Sequence, residues 1–531
     1  MFSAAVSESV ATARRNALGD VLRRSAAREP NKLALVHRDT SYTYAELNER
    51  VNACANALAE RGVTKGQRVA LLSHNNAGFV VVTFALAKLG AICVPVNFML
   101  NADEVAYILE HSGARGLVVE DALVRTAERA MGKASTDIGL RVVIGAAALE
   151  GWEASDTLLA HEDTSEPVVD IADDDPLQLM YTSGTESRPK GTIMTSRSLL
   201  AQYVSCIVEG RFSRDDVALH ALPLFHVAAQ HCMLTPYASL GATNVVLDGP
   251  EPGALLEAIE RHGATSLFCP PTVWISLLRH PDFDTRDLSS LKRGYYGASI
   301  MPVEIVKELS KRLPNIDLFN FYGQTEMSAL ALVLGPEDQL RKPGSAGRAA
   351  IYVETRLIDD AGDDVAPGEV GEIVHRSPHA TWGYWNDEEK TAAAFEGDWF
   401  HSGDLGTRDD EGYITIVDRK KDMIKTGGEN VASREVEEAI YTHPAVAEVA
   451  VFGVPHPTWI ETVAAAVTPK EGHDVTVEEL RAYCRERLAG FKTPTVIVIV
   501  DALPKNASGK ILKRDLRQEH AQAQPLDVPQ G

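Results

Sequence analysis

Residues 177–194 are Leu-Gln-Leu-Met-Tyr-Thr-Ser-Gly-Thr-Glu-Ser-Arg-Pro-Lys-Gly-Thr-Ile-Met, and this stretch decides the fold. Apolar runs at 177–180 and 192–194 flank a polar segment, so the pattern predicts a loop that joins two strands. The loop offers the donors that a polyphosphate needs, which are hydroxyls, a permissive glycine backbone and two cations, at Thr182, Ser183, Gly184, Thr185, Arg188 and Lys190. It differs from the commoner phosphate loop, because Lys190 precedes Gly191 and a strand instead of Ser or Thr and a helix. The alternative is a surface turn rich in Ser, Thr and Gly.

Four further segments form a set with this loop. They are Asn-Phe-Tyr-Gly-Gln-Thr-Glu (320–326), Trp-Phe-His-Ser-Gly-Asp (399–404), Asp-Arg-Lys-Lys-Asp-Met-Ile-Lys-Thr-Gly-Gly-Glu-Asn-Val (418–431) and Pro-Lys-Asn-Ala-Ser-Gly-Lys-Ile (504–511). In this order and at this spacing the set resembles the adenylate-forming superfamily, which holds acyl-CoA synthetases, luciferases and the adenylation domains of peptide synthetases. It resembles fatty acyl-CoA synthetases most. The resemblance extends from Ala17 to Arg517 and departs at Glu186-Ser187, where the family usually has Thr-Gly.

Composition limits the class of protein. At 531 residues the chain exceeds the roughly 250–300 that one core serves, and 45% hydrophobic residues allow several domains. Its formal charge of -22, from 52 basic and 74 acidic side chains, argues against nucleic acid as a main partner and for a soluble protein. The six cysteines have no short paired spacing, so we predict neither a disulfide framework nor a metal cluster, which fits a reducing cytoplasm. The longest apolar run, Phe79–Ala87, is far shorter than the ~20 residues of a transmembrane helix, and peripheral membrane contact stays open.

Strand-like and helix-like runs alternate along the chain and predict an α/β protein. Residues 1–170, with a helix at 77–89, predict a mainly parallel sheet, and residues 199–316 predict a second α/β layer. Short alternating strands at 351–375 predict a small β-barrel or antiparallel sheet, and residues 155–176 predict a polar loop. The predicted divisions are a large N-terminal domain at 1–418, a small mobile α+β domain at 419–518 and a disordered tail at 519–531.

The resemblance implies an ATP site. By resemblance the β- and γ-phosphates would be bound by Thr182, Ser183, Gly184, Thr185 and Lys190, and the α-phosphate by Thr325. Adenine would be bound by Tyr322, with Asn320 and Gly323 of its motif, and by the turn Gly297-Ala298-Ser299. The ribose would be bound by Asp404 and Arg419. Glu326 would bind Mg²⁺, since a hard cation that bridges phosphate oxygens prefers a carboxylate ligand. The structural alternatives are a solvated helix-start acid for Glu326, a core aromatic for Tyr322, and a surface ion pair with Asp418 or Asp422 for Arg419.

Activation of a carboxylate by ATP demands positioning and charge neutralisation instead of a covalent nucleophile. By resemblance Lys510 is the catalytic lysine of adenylation, acting with Thr185 and Glu326. Its ammonium would bridge a carboxylate oxygen and the α-phosphate, which cancels the repulsion between two anions. The alternative for this lysine is a solvated side chain.

The segment at 418–431 suits a second task. Lys425, Gly427 and Gly428 would line a tunnel for the pantetheine of coenzyme A, because glycine permits close backbone approach. By resemblance Lys421 is the hinge about which the small domain rotates between the two half-reactions. A plain turn is the alternative for the glycine pair, and a basic surface run is the alternative for the lysine.

The resemblance implies that the acyl pocket is lined partly by the segment Pro-Leu-Phe-His-Val-Ala-Ala-Gln at 223–230. The residues that would line it are Phe225, His226, Ala229 and Gln230, with the histidine as a gate near the carboxylate. An isolated histidine beside apolar residues is also commonly structural. The segment contains no acid to pair an amino acid's α-ammonium, so it favours a substrate without that charge.

These observations predict an ATP-dependent acyl-CoA synthetase that acts on a fatty or comparably apolar acid in the cytoplasm. ATP, Mg²⁺ and coenzyme A are the implied cofactor and co-substrates, and a homodimer stays open. One rival function is an acyl-AMP ligase that serves a carrier protein, although the chain shows no Gly-Asp-Ser-like phosphopantetheine site. Another is an inactive protein that binds nucleotide or acyl ligands.

Overall fold

The computed structural model describes residues 9–11, 13–145, 149–182, 189–299, 301–505 and 511–521. These residues divide into two compact units. The first contains the described residues up to Thr182, from Pro189 to Glu354 and from His375 to Phe400, and the second contains those at 355–374 and from His401 onward. The boundary at 418/419 stays a prediction, and residues 522–531 of the predicted tail lie outside the described residues.

The α-helices alternate with the strands along most of the chain. They are α1 Asp20–Arg28, α2 Tyr44–Glu60, α3 Ala77–Leu89, α4 Ala102–Ser112, α5 Val124–Lys133, α6 Ser155–Leu159, α7 Ser196–Glu209, α8 Thr235–Leu240, α9 Pro252–His262, α10 Pro271–Arg279, α11 Val303–Arg312, α12 Glu388–Ala394, α13 Ser433–Tyr441, α14 Val477–Arg485 and α15 Lys513–Glu519. A π-helix, Ala228–Leu234, precedes α8 directly.

The strands belong to four sheets. They are β1 Leu33–His37, β2 Thr40–Thr43, β3 Arg68–Leu72, β4 Ile92–Val96, β5 Gly116–Glu120, β6 Leu140–Ile144, β7 Glu153–Ala154, β8 Pro176–Tyr181, β9 Gly191–Thr195, β10 Val217–His220, β11 Thr243–Val246, β12 Ser266–Phe268, β13 Arg293–Gly297, β14 Asp317–Tyr322, β15 Leu332–Leu334, β16 Arg348–Ala349, β17 Glu354–Ile358, β18 Gly371–Arg376, β19 Phe395–Glu396, β20 Trp399–Arg408, β21 Ile414–Arg419, β22 Ile424–Thr426, β23 Glu429–Val431, β24 Val446–His456, β25 Ile460–Pro469 and β26 Val496–Ile499.

The first unit holds two large sheets. One has the order β7-β6-β5-β3-β4-β8-β9 and is parallel except for the antiparallel pair β8 and β9. The other has the order β16-β15-β14-β13-β12-β10-β11-β1-β2, with a parallel centre and antiparallel edges at β2, β15 and β16. The predicted pair of α/β layers is therefore confirmed, and the strands flanking the first motif are confirmed as β8 and β9.

Two sequence predictions for the N-terminal stretch are wrong in detail. Strand β1 does not join β3 to β6 in the first sheet; it pairs in parallel with β11 in the second sheet, with Leu35 opposite Asn244, and antiparallel with β2. A βαβ rhythm reports that strands are parallel, but it does not report which sheet takes each one. The stretch predicted as a polar loop at 155–176 begins with α6, because Ser155 and Leu158 turn a small buried face inward.

Helix α3 shows why the large unit holds together. Its side chains from Phe79 to Leu89 are all buried, as expected for a helix that is apolar on every side. The Asn76 side chain accepts a hydrogen bond from Phe79 N at 2.8 Å and begins the helix, and Gly90 ends it at φ 63°. The helix predicted at 77–89 is thus confirmed.

The second unit contains the small sheet and the C-terminal α+β fold. Strands β17 and β18, which lie in the stretch predicted as short strands at 351–375, are consecutive in a sheet with β20 and β21, and the last two pair antiparallel. In the C-terminal sheet, β24 and β25 form a long antiparallel pair buried on both faces. Val451 packs in one cluster with Val436 of α13, and Phe452 packs in another with Leu516 of α15, because successive side chains of a strand point to opposite faces. Within the described residues no helix is long and apolar enough to span a membrane.

Candidate active site

The first motif forms the end of the β8-β9 hairpin. Tyr181 pairs with Gly191 in the antiparallel register, and Thr182 N donates to Lys190 O at 3.0 Å. The two flanking apolar runs are therefore confirmed as paired strands, and the described ends of the polar segment, Thr182 and Lys190, face each other. Ser183, Gly184, Thr185 and Arg188 lie outside the described residues, so their predicted contacts with phosphate stay predictions.

The side chains of Lys190 and Glu326 both contact Tyr384. The Lys190 ammonium is 4.7 Å from the centroid of the Tyr384 ring, and the Tyr384 hydroxyl donates to Glu326 Oε1 at 2.7 Å. Burial, and then the neighbouring carboxylate, raise the pKa of Tyr384 far above its usual value, so the hydroxyl keeps its proton and acts as a donor. A cation from the first motif and the predicted metal-binding carboxylate are thereby held in one place.

The segment 381–385 makes this arrangement possible. Its backbone runs beside β9, since Ile193 N donates to Gly383 O at 3.0 Å and Trp385 N donates to Gly191 O at 2.8 Å. At its other end Thr381 N donates to Glu326 O at 2.7 Å. Sequence reasoning missed Tyr384, and the signal that points to it is an aromatic pair directly after Gly383, between two strand-forming stretches.

The predicted adenine residues lie at the carboxyl ends of two adjacent parallel strands. Gly297 closes β13 opposite Phe321 of β14, and a Cβ on that glycine would lie 2.3 Å from the Phe321 carbonyl oxygen. The next residue, Ala298, is exposed and has a φ of 64°, a left-handed conformation that costs energy for a residue with a side chain. Ser299 beside it is also exposed. This edge of a parallel sheet is where ligands bind in open α/β folds.

The segment 320–326 leads from β14 into a short 3₁₀ turn. Asn320 is buried and donates through Nδ2 to Ser345 O at 3.1 Å, which positions the strand end. The half-buried ring of Tyr322 lies 6.4 Å from the ring of His375. A Cβ at Gly323 would lie 2.1 Å from the Ala329 carbonyl oxygen, so only glycine fits there. Thr325 begins the 3₁₀ turn Thr325–Met327 that carries Glu326.

The predicted acyl segment leads into the π-helix, which the sequence reasoning did not foresee. The Phe225 ring packs edge-on against Phe98 at 5.4 Å between centroids. His226 Nδ1 accepts from Ala228 N at 3.2 Å, and Ala229 and Gln230 are buried. A π-helix is rare and is found frequently at functional sites.

The predicted ribose residues pair with each other in the second unit. Asp404 and Arg419 are opposite one another in the β20-β21 register, and Arg419 Nε lies 2.7 Å from Asp404 Oδ1. The Asp404 side chain is only 7% exposed, so this carboxylate is not a surface group. The alternative of an ion pair between Arg419 and Asp418 or Asp422 is not what this geometry favours, because the Arg419 backbone N–H binds Asp418 while the guanidinium pairs with Asp404.

The predicted hinge and tunnel residues lie farther along the same unit. Lys421 is exposed in the turn between β21 and β22. Gly427 and Gly428 form the two-residue turn of the β22-β23 hairpin with φ values of 60° and 88°, which glycine adopts at no steric cost. Lys425 is exposed, and its backbone N–H donates to Glu461 Oε2 at 2.9 Å. Lys510 lies outside the described residues.

The donor set near Glu326 fits Mg²⁺ held by a nucleotide. Among the described residues no cluster of three or more His, Cys, Asp or Glu side chains could hold a metal ion by itself. Mg²⁺ in nucleotide sites needs only one or two carboxylates, because phosphate oxygens and waters complete its octahedron. Glu326 can supply one such carboxylate, while Tyr384 takes one of its lone pairs.

Comparisons with known proteins place this geometry among enzymes that use ATP and coenzyme A. The family model described as AMP-binding enzyme matches residues 22–385, and that described as AMP-binding enzyme C-terminal domain matches residues 435–510. The chain is 38% identical to a feruloyl-CoA synthase of Amycolatopsis over 95% of this chain and 99% of the relative. It is 35% identical to a long-chain-fatty-acid–CoA ligase of Mycobacterium tuberculosis over 96% and 99% of the two chains. The solved structure of o-succinylbenzoate coenzyme A synthetase from Bacillus subtilis with ATP and magnesium superposes with a TM-score of 0.83 at 30% identity, over 94% of this chain and 99% of that one.

Proposed function

This chain belongs to the AMP-binding enzyme family as an AMP-forming acid-thiol ligase, and we propose that it joins an apolar carboxylic acid to coenzyme A. In the first step a carboxylate oxygen attacks the α-phosphorus of ATP, and pyrophosphate leaves. In the second step the thiol sulfur attacks the acyl carbon, AMP leaves and the thiol proton is released. The product is an acyl-CoA thioester.

The contact of Lys190 and Glu326 with Tyr384 carries this proposal. Pyrophosphate leaves with a build-up of negative charge, which a nearby ammonium stabilises best when it is already in position. The Tyr384 ring face holds the Lys190 ammonium at 4.7 Å by attraction between a cation and a π-system. Its hydroxyl orients the Glu326 carboxylate, which would hold Mg²⁺ against the phosphates. Mg²⁺, when bound, neutralises phosphate charge.

The roles of the remaining motif residues belong to the same proposal. Tyr322 and the turn from Gly297 to Ser299 would bind adenine, with Asn320 and Gly323 shaping the strand end. The hydroxyls of Thr182, Ser183, Thr185 and Thr325, with the Gly184 backbone, would bind phosphate oxygens. Asp404 would accept hydrogen bonds from both ribose hydroxyls, and its 2.7 Å pairing with Arg419 supports this by holding the carboxylate in place.

The proposed substrate is a carboxylic acid with an apolar body and no α-ammonium group. The segment from Phe225 to Gln230 offers no acid for such a cation, and an unpaired charge in a buried pocket is costly. Both feruloyl-CoA synthase and long-chain-fatty-acid–CoA ligase are named for acids without an amino group. His226 would lie beside the reacting carboxylate, and Ala229 would leave room for the acyl body. We place this activity in the cytoplasm, because all six cysteines are buried free thiols.

Adenylate formation and thioester formation place different demands on one site, so we propose that the small domain moves between them. We place the division near Asp418-Arg419, with Lys421 as the hinge of the small domain. Lys510 would act in the first step, and Lys425, Gly427 and Gly428 would approach the thiol in the second. The positive φ values of the glycine pair keep that hairpin narrow, which supports a role beside a slender ligand.

A panel of acids tests the proposal. Pyrophosphate release is measured for fatty, aryl-substituted and free amino acids, each with and without coenzyme A. We expect release with apolar acids that becomes a multiple-turnover reaction only with the thiol present. Strong release with a free amino acid would contradict the substrate class. Turnover that coenzyme A does not stimulate would favour a carrier protein as acceptor, and no release with any acid would favour an inactive binding protein.

A further inference from the structure

The π-helix that follows the acyl segment has an unusually polar buried surrounding. Three consecutive residues, Gln230, His231 and Cys232, are at most 3% exposed, and none of their side chains faces solvent. Buried polar groups normally find hydrogen-bond partners, since an unpaired one is costly. The partners of these three residues therefore show what the interior is built to bind.

His231 belongs to a chain of hydrogen bonds that ends in an unused donor. The Tyr203 hydroxyl lies 2.6 Å from His231 Nδ1, and His231 Nε2 lies 2.8 Å from Gln178 Oε1. An amide oxygen can only accept, so Nε2 carries the proton, Nδ1 accepts, and the tyrosine donates. The amide nitrogen at the end of this chain, Gln178 Nε2, is buried and has no partner among the described residues.

Two amide oxygens beside the same helix are unused acceptors. Gln202 donates through Nε2 to the sulfurs of Cys206 and Cys232, and its buried Oε1 has no partner within the residues that the structure describes. Gln230 Oε1, on the π-helix itself, is also buried without a partner in the described part of the chain. Both glutamines are at most 1% exposed. One donor and two acceptors thus border consecutive residues of one helix.

This cluster carries no charge at neutral pH. Burial lowers the pKa of His231 to about 3, so the ring is neutral. Burial also raises the pKa values of Tyr203 and Cys206 well above their usual ranges, so both stay protonated. A charged group would have no counter-charge here, whereas a hydroxyl or a carbonyl group would find complementary amide atoms.

We propose that Gln178, Gln202 and Gln230 form a neutral polar end of the acyl pocket, which selects acids whose apolar body carries a hydroxyl or carbonyl group remote from the carboxylate. This inference rests on the proposed function and narrows its substrate class. A hydroxyl would donate to Gln202 Oε1 or Gln230 Oε1 and accept from Gln178 Nε2. An acid without that group would leave these atoms unpaired, which is how sites built for hydrogen bonding reject unsubstituted analogues.

Matched pairs of acids test the inference. The probes are 3-(4-hydroxyphenyl)propanoic acid against 3-phenylpropanoic acid, and 8-hydroxyoctanoic acid against octanoic acid. The ratio of kcat/KM within each pair is measured by coenzyme-A-dependent pyrophosphate release. We expect the wild-type protein to prefer the hydroxylated member of at least one pair by about tenfold or more.

Two variants locate the preference. Gln230→Met and Gln202→Met keep side-chain length but remove the amide, so each is expected to reduce the ratio to within about threefold, mainly through loss of rate with the hydroxylated acid. Thr468→Val is the matched control, because Thr468 Oγ1 is likewise buried without a partner in the described segments but belongs to the second unit. It should leave the ratio unchanged.

The outcomes separate this inference from the proposed function. Wild-type protein that releases pyrophosphate but prefers the unsubstituted members of both pairs overturns the inference alone, even if neither glutamine variant folds. A preference that survives in both folded variants also overturns it. No pyrophosphate release with any acid of the wider panel overturns the proposed function, and the inference with it.

Discussion

Tyr384 donates a hydrogen bond to Glu326 Oε1 at 2.7 Å across 58 residues of sequence. The tyrosine side chain also carries the Lys190 ammonium on its ring. One residue therefore contacts two groups of opposite charge, which are the groups proposed above to bind a metal-bound pyrophosphate. The segment 381–385 that supplies it is tied by backbone hydrogen bonds both to β9 and to Glu326.

Removal of the Tyr384 hydroxyl should leave the Glu326 carboxylate less well oriented, because it removes a hydrogen bond to Oε1. A hydrogen bond to a charged group contributes about 1.5–3 kcal/mol, so we expect Tyr384→Phe to slow adenylate formation about tenfold and to raise the Mg²⁺ concentration that half-saturates it. Pyrophosphate release measured across a Mg²⁺ titration checks both effects. Tyr44→Phe is the control, because it removes a buried hydroxyl that donates to Ala242 O at 2.6 Å, remote in sequence from the motifs. If both variants show wild-type Mg²⁺ dependence, Glu326 does not act through the metal.

Lys510 should serve only the first half-reaction. Loss of one preorganised contact to developing charge costs about a hundredfold to a thousandfold in rate, so Lys510→Ala should nearly abolish adenylate formation. Thioester formation from a supplied acyl-adenylate should stay near the wild-type rate, because the lysine's charge is no longer needed. Lys505→Ala, which breaks an exposed ion pair with Glu448, is the control and should change neither step. Equal losses of Lys510→Ala in both half-reactions would contradict the assignment.

Asp404 should govern affinity for ATP. In Asp404→Asn the acceptor for the ribose hydroxyls is weakened and the ion pair with Arg419 is lost, so we expect the KM for ATP to rise about tenfold to a hundredfold with a smaller change in kcat. Replacement of Arg376, whose exposed pair with Glu354 is 2.6 Å long, provides the comparison. Arg376→Ala should leave the KM for ATP within about twofold of wild type, since exposed pairs contribute little. An unchanged KM in Asp404→Asn would remove the ribose role.

The hinge is tested by restricting one residue of the turn after β21. Proline holds φ near about -65° and restricts the residue before it, so Lys421→Pro should keep the chain in one pose. We expect adenylation to stay within about tenfold of wild type while coenzyme-A-dependent turnover falls about a hundredfold. Lys421→Ala removes the side chain but keeps the backbone free, and it should support both reactions. Wild-type rates for both half-reactions in the proline variant would place the pivot elsewhere.

Buried histidines should make the fold sensitive to acid. Burial lowers the pKa of His220 to about 4, below the ~6.5 of an unfolded histidine. The unfolded state therefore binds a proton first as pH falls, and the stabilisation, complete above pH ~6.5, is lost between pH ~6.5 and ~4. For His220 alone, the free energy of unfolding is expected to fall by about 2 kcal/mol between pH 8 and pH 5.

Urea unfolding followed at these two pH values measures that loss. His220→Gln should reduce the pH dependence by about 2 kcal/mol, whatever its effect on stability at pH 8. The His161 side chain is 17% exposed, and its hydrogen bond to Glu60 raises its pKa, so its contribution to stability has the opposite sign and is lost as pH rises. An unaltered pH slope in His220→Gln would show that the ring titrates normally in the folded protein.

Local patterns were sufficient for much of the molecule. The helix at 77–89 follows from an apolar stretch between an asparagine cap and a glycine, and α9 and α13 show the apolar periodicity of amphipathic helices. The hairpin around the first motif follows from two apolar runs and the polar loop between them. The five motifs also determined the family, because their residue types and spacing are properties of the chain and not of its folding.

Only the tertiary structure decided which distant groups meet. Hydrophobic periodicity reports which face of an element is buried, but it does not report what buries it. For that reason β1 is predicted to lie in the first sheet, although it pairs with β11 in the other sheet, and nothing in the sequence pattern indicates that the Arg419 guanidinium pairs with Asp404 on the adjacent strand. Tyr384 and the polar surroundings of the π-helix went unnoticed for the same physical reason. Their partners lie tens of residues away in sequence, and only packing brings them within hydrogen-bond distance.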